Sequence, residues 1–378
     1  MSNTASKNNA QSNTENYTEN NKTLLVMAGG TGGHIFPGLA VAQALKEQGW
    51  NIHWLGTEKR MEADLVPNYG YPISFVNIAG FRNKGWQTWL KTPFKIMQSI
   101  IQSIKILRAI NPDVVLGMGG YASGPGGVAA WILGIPLVLH EQNAVAGMTN
   151  RYLANIATKV LAAFPNAFKG STQYQVVGNP LRSEIVSMEN VMSEQPAVSK
   201  KVLVVGGSLG AQILNEVVPQ AMKQIKLQHI DVWHQTGAGN EASVLASYTK
   251  FGLLGERVKV SEFIDDMAVA YQWADVVICR AGALTVSELA MAAKPAVFIP
   301  LPHAVDDHQT KNAMYLVSCG AAKLIPQGEF NGTTLAQMLN SLFVSDKVIQ
   351  SMSKAAHDAA HADATMKVAK VCQSVVKK

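Results

Sequence analysis

One histidine stands inside a run of glycines, Gly29-Gly30-Thr31-Gly32-Gly33-His34-Ile35-Phe36-Pro37-Gly38. Such a loop lets backbone N–H groups approach an anion, and a helix N-terminus behind it adds a favourable dipole. A phosphate cradle needs no imidazole, so His34 implies a second task. Histidine titrates near pH 6.5 and can take a proton from an attacking hydroxyl. The plainer role is a hydrogen bond that shapes the loop.

Three further clusters carry chemistry. In Cys279-Arg280-Ala281-Gly282-Ala283-Leu284-Thr285-Val286-Ser287-Glu288, Gly282 makes a turn and Thr285 and Ser287 enter the first turn of a helix. N–H groups and hydroxyls there suit a diphosphate, and Glu288 one turn in suits a ribose diol. An N-cap with an acidic first turn is the structural alternative. His140-Glu141-Gln142-Asn143 follows an apolar run, at a strand end where ligands gather in open sheets. Pro300-Leu301-Pro302-His303 and Asp306-Asp307-His308-Gln309 place two histidines near two aspartates, but no third cluster completes a metal site.

Gly117-Met118-Gly119-Gly120-Tyr121-Ala122-Ser123-Gly124-Pro125-Gly126-Gly127 contains a weak dinucleotide match, G-x-G-x-x-A. Its glycine density argues for close approach of a bulky ligand to the backbone. No GxxxxGK[ST] is present, which excludes a P-loop. No Asp-x-Asp is present either, so a leaving diphosphate would rely on helix N-termini and hydrogen bonds rather than a metal.

The elements that must position these residues are short apolar runs alternating with helical patterns. The runs are 24–27, 53–55, 74–78, 114–116, 137–139 and 159–161, then 202–205, 231–234, 258–260, 276–279 and 296–299. Alternation of this kind indicates an α/β fold with parallel sheets. The halves open alike: Gly29-Gly30-Thr31-Gly32-Gly33 is matched by Gly206-Gly207-Ser208-Leu209-Gly210. Two doubly wound, Rossmann-like domains facing across a cleft follow, with ligands at the strand C-terminal ends. Gly178-Asn179-Pro180 ends the first half, and the polar stretch 188–200 reads as the connection.

The 378 residues fit two domains, and 48% hydrophobic content supplies their cores. Net charge is +6. Cys279, Cys319 and Cys372 are odd in number and far apart, which disfavours a disulfide framework. Residues 1–22 lack an apolar run and read as a disordered tail rather than a signal peptide. No run of about 18 apolar residues marks a membrane span. Residues 65–112 hold no Asp or Glu but carry Arg82, Lys84, Lys91, Lys95, Lys105 and Arg108. Leu90, Phe94, Met97, Ile101 and Ile104 fall on one helical stripe, which is read as core. Phe81, Trp86 and Trp89 lie off it, and with the cations they suggest an anionic membrane surface. A solvated basic face is the bland alternative; no nucleic-acid module is visible.

Taken in order, 29–38, 117–127, 140–143, Gly178-Asn179-Pro180-Leu181-Arg182, 206–210, Glu262-Phe263-Ile264-Asp265-Asp266-Met267 and 281–288 resemble the MurG family of glycosyltransferase family 28. The likeness covers about residues 22–378. It implies a GT-B fold with an acceptor and membrane domain at 23–182, a donor domain at 183–360, and a C-terminal helix, about 361–378, packing back on the first. It further implies an inverting transfer of N-acetylglucosamine (GlcNAc) from UDP-GlcNAc to lipid I, with no cofactor and no metal.

By position, the resemblance puts Ser208, Ala283, Leu284, Thr285, Val286, Ser287 and Glu288 on diphosphate and ribose, Ile264 on uracil and Gln309 on the sugar. His308 is the neighbour with which Gln309 could be misregistered. Thr31, Gly32, Gly33, Asn143 and Arg182 would close over the donor, and His34 would be the base. Phe81, Arg82, Lys84, Trp86, Trp89, Lys91 and Trp131 would form the membrane patch. The implied place is the cytoplasmic face of the inner membrane, peripherally bound, among cell-wall and division proteins. Rival readings are an NAD-dependent oxidoreductase using 117–122, a UDP-sugar epimerase, a glycolipid synthase with another acceptor, and a non-catalytic sugar-nucleotide sensor.

Overall fold

The computed structural model describes residues 21–78, 86–170, 172–188, 199–207, 210–225, 229–253, 255, 257–302 and 304–377. For residues 86–92 and 305 it describes the backbone alone. The expected tail lies almost wholly outside the described residues, as does most of the polar connection.

Two sheets form, and all their pairings are parallel. The first contains β1 Thr23–Ala28, β2 Asn51–Gly56, β3 Ile73–Phe75, β4 Val114–Gly119, β5 Leu137–Glu141, β6 Lys159–Ala162 and β7 Gln175–Val176. Its order is β3-β2-β1-β4-β5-β6-β7. The second contains β8 Lys200–Val205, β9 Ile230–Gln235, β10 Val258–Ser261, β11 Val276–Cys279, β12 Ala296–Phe298 and β13 Ala322–Leu324, in the order β10-β9-β8-β11-β12-β13. Parallel sheets are covered by helices on both faces, which is why β1 and β4 are buried along nearly their whole length. Each run anticipated from sequence has a strand. The two edge strands β7 and β13 were not anticipated, because two or three residues are too short to show a period.

In each sheet the strand order reverses beside the first strand, between β1 and β4 and between β8 and β11. A crevice opens there at the strand C-terminal ends. The first crevice receives the turn into helix Gly32–Lys46 and the turn into helix Ser123–Ile132. The second receives the turn into helix Gln212–Gln224 and the turn into helix Ala283–Met291. The last helix, Ala364–Ser374, returns to the first sheet. Its Val368, Ala369 and Cys372 are buried in one cluster with Val26, Val41 and Leu116.

Two expectations change. Most glycines of 117–127 are already required by packing within the protein, without any ligand. A Cβ on Gly120 would lie 2.5 Å from the Gly29 carbonyl oxygen, and one on Gly126 would strike the Met27 sulfur. The apolar stripe is also mostly not core: of its described side chains only Ile104 packs against a buried cluster. In helix Trp86–Ile110, Phe94 is 76% exposed, Met97 56% and Ile101 48%. Ser99, Ser103 and Leu107 are buried instead, one turn apart, because this face carries small residues that let the helix lie close to its neighbours.

Gly120 has φ +90° and a backbone neighbour that cannot yield, whereas Gly30 has φ +94° and open space. Gly30→Ala is expected to cost about 1 kcal/mol, the left-handed penalty alone, and Gly120→Ala at least about 2 kcal/mol more. Denaturant midpoints of the two variants check this ordering.

Candidate active site

The first glycine turn is held by a carboxylate. Glu62, buried in helix Met61–Asn68, accepts from the Gly30 N–H at 2.9 Å and from the Thr57 N–H and hydroxyl at 3.1 and 2.7 Å. A negative charge therefore sits directly behind this turn. The second turn is held by a neutral amide: Gln235 accepts from the Gly207 N–H at 2.9 Å and donates to the Gly207 carbonyl at 3.1 Å. The two matching turns differ in charge, and the second is the more hospitable to a diphosphate.

His34 lies in the first turn of its helix, half-buried, over the Gly119 backbone; a Cβ on that glycine would be 3.1 Å from the ring. Its Nδ1 is 2.8 Å from Gln142 Oε1. Gln142 Nε2 is 3.1 Å from both His140 Nδ1 and the His140 carbonyl, and His140 Nε2 is 2.9 Å from the Gly178 carbonyl. The buried Glu141 accepts from the N–H groups of Asn143 and Gly147 and from the side chains of Asn143 and Asn150. The polar quartet is thus a built network.

Across the cleft, the N–H groups of the first turn of helix Ala283–Met291 have no intrahelical partner. Leu284, Thr285 and Ser287 are half-buried there, and Ala283 and Val286 face the core. Glu288 is buried. Its Oε1 meets Arg182 at 3.3 Å and its Oε2 accepts from the Tyr271 hydroxyl at 3.0 Å. Burial pushes the Glu288 carboxyl up, opposed by Arg182 and Tyr271. A carboxylate has about four acceptor positions, so each oxygen keeps acceptor capacity beyond the bond it makes here.

The halves meet through an apolar contact, Phe164 edge-on against Tyr315 at 4.9 Å between centroids, and through polar side chains at the cleft. Asn179 donates to the Gln142 carbonyl at 3.1 Å and to Ser287 Oγ at 3.0 Å. Asn312 accepts from the Ala144 N–H at 2.8 Å and donates to Asn143 Oδ1 at 3.2 Å. Arg151 pairs with Asp306 at 2.8 Å. One residue, Gln142, therefore touches His34 by its side chain and the Ser287 turn, through Asn179, by its backbone.

The structure links His34 to Ser287 through Gln142 and Asn179, pairs Arg182 directly with Glu288, and ties Asn143 to the second domain through Asn312. Thr31, Gly32 and Gly33 open the His34 helix. Ile264 lies half-buried after β10 against the second-domain core. Gln309 accepts from the Leu301 N–H at 2.9 Å, closing its own loop. Ser208, Phe81, Arg82 and Lys84 lie outside the described residues, as do the side chains of Trp86, Trp89 and Lys91. Trp131 is 57% exposed on helix Ser123–Ile132. Sequence reasoning missed Glu62, Gln235, Tyr271 and Asn312. Their only signal is a polar residue amid apolar neighbours, which many buried polar groups share. Among the described residues, no group of three or more His, Cys, Asp or Glu could hold a metal ion.

With this geometry in place, likeness to known proteins decides the family. Residues 24–162 match the glycosyltransferase family 28 N-terminal domain and residues 201–368 its C-terminal domain. The chain belongs to glycosyltransferase family 28. A relative from Colwellia psychrerythraea is 57% identical over 360 residues, covering 94% of this chain and 93% of the relative. One from Aeromonas hydrophila is 56% identical over 352 residues, covering 93% and 96%. Both are named UDP-N-acetylglucosamine--N-acetylmuramyl-(pentapeptide) pyrophosphoryl-undecaprenol N-acetylglucosamine transferase. The crystal structure of Acinetobacter baumannii MurG superposes with a TM-score of 0.81 at 40% identity, covering 93% of this chain and 99% of that one. The two parallel-sheet domains are the GT-B fold of this family 28 protein.

Burial lowers the His140 pKa to about 4, against about 6.5 in an unfolded chain. The unfolded state therefore takes up a proton first as pH falls. The stability contributed by keeping His140 neutral is complete above pH 6.5 and is lost between about 6.5 and about 4, at about 1.4 kcal/mol per pH unit. Between pH 7.5 and 5, wild type should lose about 1–2 kcal/mol more than His140→Gln in denaturant titrations.

Proposed function

We propose that this family 28 chain transfers GlcNAc from UDP-GlcNAc to the 4-hydroxyl of the N-acetylmuramyl group of lipid I, giving lipid II. The observation that carries the site assignment is the Gln142–Asn179 link, which sets the His34 loop and the Ser287 turn on opposite walls of one cleft.

The donor lies on the second domain. The N–H groups and hydroxyls at Ala283, Leu284, Thr285 and Ser287 receive its diphosphate, together with Ser208 of the matching turn. Val286 anchors that turn in the core, Glu288 takes the ribose hydroxyls, and Ile264 and Gln309 border uracil and sugar. Thr31, Gly32, Gly33, Asn143 and Arg182 complete the site from the other side. His34 removes the proton of the muramyl hydroxyl as its oxygen bonds to the anomeric carbon and the bond to UDP breaks. The attack comes opposite the leaving group and inverts the anomeric centre. Charge growing on UDP is met by the helix N-terminus and by Arg182.

The acceptor is a lipid diphosphate, so the site must reach a membrane surface. The exposed Phe94, Met97 and Ile101, with Trp131 on the adjacent helix, form an apolar face beside Lys95 and Lys105. No helix among the described residues is long and apolar enough to cross a membrane. A face of this kind lies on an anionic leaflet, each nearby cation contributing about 1 kcal/mol.

Radiolabel from UDP-GlcNAc should appear in a lipid I analogue, and UDP-glucose and UDP-N-acetylgalactosamine should give far less product. His34→Ala should lower kcat by about 10²–10⁴-fold; turnover near wild type would remove His34 as the base. In a sedimentation assay, Phe94, Met97 and Ile101 changed together to Ser should release the protein from anionic vesicles. Undiminished vesicle binding would count against the membrane face.

A further inference from the structure

The hydrogen-bond chain behind His34 starts from a group that has no choice of role. A carbonyl oxygen only accepts, so His140 Nε2, 2.9 Å from the Gly178 carbonyl, carries a proton and donates it. His140 is fully buried, and that burial lowers its pKa to about 4, so near neutral pH the ring holds one proton only. Its Nδ1 then presents a lone pair. The atom facing that lone pair at 3.1 Å must donate, which makes it the amide nitrogen of Gln142. The same nitrogen faces the His140 carbonyl at 3.1 Å and Met118 Sδ at 4.0 Å, both acceptors. Turning the amide over would press its oxygen against a lone pair and a carbonyl oxygen. Gln142 Oε1 is thereby directed at His34 Nδ1, 2.8 Å away, and an amide oxygen only accepts.

We propose that the Gly178 carbonyl, acting through His140 and Gln142, fixes neutral His34 as the Nδ1–H tautomer and so reserves Nε2 as the proton acceptor of the transfer. The inference rests on the reading of His34 as the base. His140 and Gln142 are positioning residues: each acts through the next, and the bond directions are dictated from the buried end outward. Among the described residues, His34 Nε2 has no hydrogen-bond partner, so its lone pair is left for the acceptor hydroxyl. The relay is also braced. The Gln142 carbonyl accepts from Asn179, and the His34 ring lies against Gly119, where a Cβ would press it at 3.1 Å. An unbraced imidazole divides between two tautomers, and the Nε2–H form cannot accept a proton at Nε2.

The test is ¹⁵N NMR of the full chain with labelled histidine, recorded above the titration range of imidazole. The His34 signals are assigned by their loss in His34→Gln. Wild type should show Nδ1 protonated and Nε2 unprotonated. Gln142→Met removes the acceptor; it should shift His34 toward Nε2–H and lower kcat about 10- to 10²-fold, with donor KM changed by less than about twofold. A wild-type spectrum with Nε2 protonated, or an unchanged tautomer in Gln142→Met, would overturn the relay. The wild-type spectrum decides the matter even where a variant fails to fold. An active His34→Ala enzyme would instead overturn the base assignment, so the two failures are separable.

Discussion

The site depends on how closely two turns can approach where the first sheet changes direction. Gly120 lies against the Gly29 carbonyl, where a Cβ has no space, and Gly119 against the His34 ring, which a Cβ would press at 3.1 Å. Both glycines also have positive φ, so the backbone path and the packing each demand the same residue type. That approach places a histidine from the turn after β1 over the turn after β4. The quartet after β5 can then reach it. With larger residues at these two positions the imidazole would lose its seat.

The two domains share this frame but divide the labour by charge. Behind the first turn stands Glu62, and behind the second Gln235, each taking a glycine N–H. A buried carboxylate makes the first turn a poor place for concentrated phosphate charge. The amide leaves the second turn neutral, and helix Ala283–Met291 adds its N-terminus on the same crevice. Near-identical glycine signatures can therefore rest on different charges, a carboxylate behind one turn and a neutral amide behind the other.

The seam between domains is polar at the cleft and apolar beside it, where Phe164 of the first domain packs edge-on against Tyr315 of the second, 4.9 Å between ring centroids. Asn179, Asn312 and the Arg182–Glu288 pair carry the polar part, and all are in or beside the cleft. The apolar surface that the first domain leaves uncovered lies elsewhere, on helix Trp86–Ile110. There the stripe read as core faces outward because Ser99 and Ser103 occupy the packed side.

The sequence by itself determined the parallel α/β character, the matched halves and the clusters at strand ends. Each of these is local: a strand's apolar run, a turn's glycines and a helix's first residues are contiguous, so their pattern is visible in one dimension. The placement of His34, Ser287 and Glu288 at the starts of helices that follow strands was legible for that reason. The contacts of Glu62, Gln235, Asn179 and Asn312 were not, because each partner is distant in the chain and an isolated polar residue carries no period. The direction of the helical stripe was equally hidden. Periodicity states that a helix has an apolar face, but only its packing neighbours decide whether that face turns inward. Tertiary structure also decided the meaning of the 117–127 glycines, since a close approach looks the same in sequence whether a ligand or the protein's own backbone makes it.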